Sequence, residues 1–119
     1  MGKHGFVHVE ISANDLTATA AFYQQVFNWT VQPVPEMNYA LFETGEGPGG
    51  GFSPVMAENP AGTVMIYIAT DNIEDTLAAV EKAGGVTVLP RTEIPSTGWF
   101  AQFKDPTGNL LGIFQNLPE

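Results

Sequence analysis

His8 and Glu10 stand two residues apart in the segment Phe6 to Ser12, FVHVEIS, where apolar and polar residues alternate. Side chains two apart on a strand point to the same face, so imidazole and carboxylate are neighbours about 7 Å apart along the chain. Val7, Val9 and Ile11 take the opposite face, towards a core. A carboxylate in the middle of a core strand needs a partner or a raised pKa. Three readings are open. Glu10 is structurally paired, or it is a general base with His8 as its polarising neighbour, or the two share one metal ion completed by water or substrate.

Other residues add to this set. Tyr67 and Met65, in VMIYIA, stand at the same spacing as Glu10 and His8. Tyr67 either supplies a hydroxyl for Glu10 or a substrate oxygen, or is a packed tyrosine with its hydroxyl at the surface. Gln102 and Gln115 are uncharged amides on late strands, suited to orienting a ligand. Trp99, Phe100, Phe42 and Tyr39 supply apolar walls. His4, in a short leading tail, carries no expected role. The glycines of Gly45 to Gly51 lack the Lys-Ser/Thr ending and following helix of a phosphate loop. Both histidines lie near the start of the chain, and neither has an identifiable nucleophile.

The elements that must position these residues can be read along the chain. After the first strand, Asn14-Asp15 offers a helix N-cap, and Leu16, Ala20, Phe22, Tyr23 and Phe27 recur at helical spacing up to Asn28. Trp29 to Val34 and Asn38 to Thr44 read as strands around the turn Pro35-Glu36-Met37. Gly45 to Gly51 leads into a short strand near Phe52, and Met56 to Gly62 is a polar connection. The pattern then restarts. Val64 to Ala69 alternates as a strand, Asp71 caps a helix from Ile73 to Ala83, and Gly84-Gly85 closes it. Val86 to Leu89, Trp99 to Lys104 and Leu110 to Gln115 supply three more strands. The turn Asp105 to Asn109 separates the last two.

The halves repeat. An offset of 57 maps Asn14-Asp15-Leu16 onto Asp71-Asn72-Ile73 and Trp29-Thr30-Val31 onto Val86-Thr87-Val88. The offset then becomes 61, mapping Ala40 to Ala101, Phe42 to Phe103 and Gly51 to Gly112, with a longer loop Pro90 to Gly98 absorbing the difference. Each half reads β-α-β-β-β, about 5–55 and 63–116, within one domain covering 1–119. The expected fold is α+β, with two βαβββ units forming a curved mixed sheet around a cleft.

A duplicated βαβββ unit with these words resembles the vicinal oxygen chelate superfamily, the group of glyoxalase I, extradiol dioxygenases and bleomycin-resistance proteins. The resemblance rests on His8-Val9-Glu10-Ile11, Asn14-Asp15-Leu16, Ala21-Phe22-Tyr23 and Val26-Phe27-Asn28-Trp29. In the second half it rests on Asp71-Asn72-Ile73, Ala83-Gly84-Gly85 and Phe103 through Asn109. The ending DPTGNLLGIFQ is similar to that of small glyoxalase-related bacterial proteins. In glyoxalase I a divalent metal takes one ligand from the first and one from the last strand of each unit. Carried over, those positions are His8, Met65, Gly51 and Gly112. Only His8 is a good ligand for a hard ion, so the resemblance implies a degenerate metal site, with His8 and Glu10 the residues left for any metal. Two functions follow as expectations. One is a lyase or isomerase acting on a small oxygenated metabolite, with Glu10 as base. The other is a non-catalytic protein that sequesters a small molecule, as bleomycin-resistance proteins do.

Composition narrows the partners. In 119 residues, thirteen Asp+Glu against four Lys+Arg give a net charge of −9. That balance argues against nucleic acid and anionic membrane surfaces. There is no cysteine, which rules out disulfides, thiolate metal sites and cysteine nucleophiles. No apolar run approaches the ~20 residues of a membrane span, and MGKHGFVHVEIS lacks a signal-peptide core. A cytoplasmic protein is expected, pairing as a homodimer that covers open sheet edges.

Overall fold

The computed structural model describes residues 4–57 and 59–118. Position 58, inside the Met56 to Gly62 connection, and the first three residues of the opening segment lie outside them. The chain forms two compact units, His8–Met65 and Met1–Val7 with Ile66–Glu119. Both are α+β.

The unit His8–Met65 takes its sheet from β1 (Phe6–Ala13), β2 (Thr30–Val34), β3 (Tyr39–Glu43) and β4 (Gly50–Pro54), in the order β2-β3-β4-β1. β1 runs parallel to β4, and the other two pairings are antiparallel. Helix α1 (Leu16–Phe27) starts where Asp15 accepts a hydrogen bond from the Ala18 amide. It stops at Asn28, which adopts the left-handed conformation that asparagine tolerates at a helix end. Val9, Ile11 and Ala13 pack on Ala40, Phe42 and Phe52, with Tyr23 and Trp29 added from α1 and beyond. Val7 was expected on this face, but it precedes the span paired with β4 and stays 41% exposed.

The second unit repeats the plan with β5 (Val64–Ala69), α2 (Ile73–Lys82), β6 (Val86–Ile94), β7 (Gly98–Lys104) and β8 (Leu110–Asn116), in the order β5-β8-β7-β6. Ile73, Leu77, Ala101 and Ile113 form its core. The registers of the two sheets correspond at two crossings. Glu10 pairs with Gly51 across β1 and β4, and Tyr67 pairs with Gly112 across β5 and β8. Leu41 faces Gly51 as Gln102 faces Gly112.

Two sequence expectations need correction here. The cap of α2 is Asn72, whose Oδ1 accepts from the Asp75 amide at 2.9 Å, and not Asp71, which stands one residue too early to reach that donor. The Pro90 to Gly98 stretch is strand for most of its length. β6 continues to Ile94, and register shifts between Thr87 and Leu89 and between Leu89 and Thr92 accommodate Pro90. Proline has no amide to give the ladder, and a local irregularity lets the strand carry it. The turn Asp105 to Asn109 forms as expected. Amides of Thr107, Gly108 and Asn109 and the Asn109 side chain all donate to the Asp105 carboxylate, with the Asn109 side chain chief in holding its pKa below the ordinary carboxylate value.

Candidate functional site

The site grows from β1 by alternation. Val9 and Ile11 are committed to the core beneath α1, so His8 and Glu10 emerge on the helix-free face of the sheet. There the expected spacing closes further than the backbone alone requires. His8 Nε2 lies 2.7 Å from Glu10 Oε1, with the side chains 29% and 18% exposed. A third group joins them. The Tyr39 hydroxyl donates to the same Glu10 Oε1 at 2.8 Å and lies 3.1 Å from His8 Nε2. An ionised carboxylate can only accept, so it is satisfied when Nε2 carries the imidazole proton. Both contacts fall on one oxygen. Among the described residues Glu10 Oε2 has no hydrogen-bond partner.

Tyr39 reaches Glu10 because of Gly51. β4 separates β3 from β1, and Tyr39 must extend across it on the helix-free face. A side chain at position 51 would occupy the space taken by the Tyr39 hydroxyl and ring. The sequence reading placed Tyr39 among apolar walls and missed this hydrogen-bonding role. A glycine in mid-strand directly beside Glu10 was the available signal, since such glycines mark a close approach.

The second unit shows its own version. Tyr67 is 8% exposed, its hydroxyl accepts from Gln102 Nε2 at 3.2 Å, and its ring lies edge-on to Phe100 with centroids 6.2 Å apart. A side chain at Gly112 would run into the Tyr67 ring. Met65 is buried at 7% exposure. Tyr67, Gln102 and Phe100 are thus brought together, the Tyr67 hydroxyl meeting Gln102 within its own unit.

Trp99 and Gln115 lie elsewhere. Trp99 shares the core-facing side of β7 with Ala101 and Phe103 and holds Arg91 5.0 Å from its ring centre. Gln115 Oε1 accepts from the Ile73 amide at 2.9 Å, tying β8 to the first turn of α2. Both residues therefore sit on the helix side of their strands, whereas Phe100 and Gln102 sit on the other. Gln115→Leu should destabilise the protein by about 1–2 kcal/mol, because a buried helix amide loses its acceptor. Urea unfolding measures it, and a change near zero would mean that the bond contributes nothing.

The four-ligand metal arrangement does not fit these residues. Positions 51 and 112 are glycines, with the space for a ligating side chain taken by Tyr39 and Tyr67, and position 65 offers only a thioether. His8 and Glu10 point their donor atoms at each other, whereas two ligands of one ion direct their lone pairs at the ion.

Residues 5–113 match the model of the Glyoxalase/Bleomycin resistance protein/Dioxygenase superfamily, and the chain belongs to that family. A "Glyoxylase-like domain-containing protein" from Didymella fabae is 30% identical, over 95% of each chain. "Putative glyoxylase CFP32" of Mycobacterium bovis is 30% identical over 83% of this chain, which spans 39% of that protein's length. Among solved structures, methylmalonyl-CoA epimerase from Mycobacterium tuberculosis superposes with a TM-score of 0.72 at 13% identity, covering 96% of this chain and 89% of that one. That likeness is one of fold.

Proposed function

We propose that this protein binds a small oxygenated metabolite on the helix-free face of the β2-β3-β4-β1 sheet and moves a proton on it, with Glu10 as the base. The reaction class is that of a lyase or isomerase. One observation carries the reading: a half-buried carboxylate is oriented through one oxygen by His8 and Tyr39, with the second oxygen left for a substrate proton. Among the described residues no buried side-chain oxygen lacks a partner, so this second oxygen is open to solvent and to a ligand. Membership of a family that includes glyoxalases, and a fold shared with an epimerase, support proton transfer next to a carbonyl as the chemistry.

The test is exchange of the α-hydrogen in deuterated water, followed by NMR. The probes are a 2-hydroxy acid, a 2-oxo acid, an α-hydroxy thioester and an α-methyl thioester. Glu10→Gln should lower exchange by roughly 10²- to 10⁴-fold, the usual contribution of a general base, and leave probe affinity unchanged. Exchange at the wild-type rate in that variant removes Glu10 from the role. A probe that raises the melting temperature and is recovered without exchange identifies a sequestering protein instead.

A further inference from the structure

Charge is distributed unevenly along this chain. Between His8 and Met65 the sequence holds six carboxylates, Glu10, Asp15, Glu36, Glu43, Glu46 and Glu58, and no lysine or arginine. Of the four cations, Lys82, Arg91 and Lys104 belong to the other unit, and Lys3 falls outside the described residues. Arg91 is engaged over the Trp99 ring. His8 is the remaining basic group of the His8–Met65 unit, and its Nε2 is held 2.7 Å from Glu10 Oε1.

The residues that share the helix-free face with Glu10 follow the same balance. Strand register sets Leu41 of β3 in line with Gly51 and Glu10, and Gln32 of β2 next to Leu41. Leu41 points away from the core that Ala40 and Phe42 enter, and it is 42% exposed although β3 is an inner strand. Glu43 follows on the same face. A large apolar side chain is thus open to solvent two strands from the carboxylate.

We propose that the substrate of the Glu10 site is an uncharged carbonyl compound whose apolar part rests on Leu41, and that an acid carrying its charge beside the carbonyl is rejected. This rests on the reading of Glu10 as base. Carboxylates and phosphates are held by charge-assisted hydrogen bonds, for which arginine and lysine are the usual donors. The His8–Met65 unit contains neither. An anion brought against Oε2 would also meet the charge of Glu10 itself.

With an uncharged substrate the balance closes without a cation. The C–H bond breaks, its proton goes to Oε2, and its electron pair moves into the carbonyl to give an enolate. One negative charge leaves Glu10 as one appears on the enolate oxygen. Return of the proton, to the same carbon or a neighbouring one, restores the carboxylate. An acid would keep two negative charges in the site at every stage.

The test compares a 2-oxo acid with its methyl ester by α-hydrogen exchange in deuterated water, each rate divided by that without protein. The ester should be favoured about tenfold in kcat/KM, the effect of one like charge roughly 6 Å away in a half-exposed site. Raising sodium chloride from about 0.02 to about 0.5 M should close most of that gap, since salt screens charges near solvent. Leu41→Lys puts a cation on this face at an exposed position and should bring the acid level with the ester. An acid handled as well as its ester by the wild type overturns the substrate class, and the base stands if Glu10→Gln still loses exchange. A gap that neither salt nor Leu41→Lys narrows also overturns it, because shape and not charge then decides. A wild type that exchanges neither probe removes the base reading as well.

Discussion

Phe52→Ala should destabilise the protein by about 3–5 kcal/mol, the range for truncating a fully buried phenylalanine. Its ring is fully shielded from solvent and lies between Tyr23, with centroids 5.4 Å apart, and Phe42 at 4.8 Å. Trp29 closes the group, 4.7 Å from Tyr23 and 4.6 Å from Phe42. These rings join α1 to the sheet. The helix itself contributes no fully buried residue, so little else can take up the lost contact. Aromatic rings are stiff and stacked rings relax poorly into a void, which places the loss towards the upper end. With a total stability of roughly 5–15 kcal/mol for a domain, such a loss leaves a marginal fold. Equilibrium urea unfolding measures the difference. A loss under about 1 kcal/mol would mean that the neighbouring rings had closed the cavity.

The elements that bury an apolar face could be read from sequence because their periodicity reports it. Strict alternation in FVHVEIS separates Val9 and Ile11 from His8 and Glu10, and the structure keeps that separation. The change of repeat offset from 57 to 61 aligned Gly51 with Gly112, and the strand registers give each the matching partner, Glu10 and Tyr67. Alternation also held information left unused. Trp99 and Gln102 differ by an odd number along β7, so they cannot share a face, and the same parity separates Gln115 from Gly112 on β8. Grouping Trp99, Phe100, Gln102 and Gln115 together as ligand-facing ignored the pleat. Tyr39 was hidden for a different reason. Its partner Glu10 lies 29 positions away, and the two meet only because β4 passes between their strands with a glycine at the crossing. Such a contact belongs to sheet order and to side-chain reach, neither of which periodicity encodes. The extension of β6 past Pro90 was hidden likewise, since a proline interrupts the pattern that would have revealed it.

Adding one methyl group to either of two adjacent glycines should have opposite consequences. Gly50 lies against the backbone of β1: a Cβ there runs into the Val9 carbonyl, comes within 2.7 Å of the carbonyl carbon and 2.6 Å of the Phe42 ring. None of these can yield cheaply. The Val9 backbone is held by its N–H, which donates to the Gly49 carbonyl at 3.0 Å, and Phe42 is fixed in the ring cluster. Gly50→Ala must therefore separate β1 from β4, and the expected result is chain that is largely insoluble or unfolded at 25 °C. Gly51 points to the other face, where the obstacle is the far end of Tyr39. That side chain can rotate away at small cost, so Gly51→Ala should fold with native circular dichroism. The phenol then no longer reaches Glu10 Oε1, and exchange of the α-hydrogen should fall, because the carboxylate loses one of the two hydrogen bonds that orient it. A folded Gly50→Ala with native stability would mean that β1 and β4 do not approach as closely as described. A folded Gly51→Ala with full exchange would mean that the glycine is not what admits Tyr39 to the site.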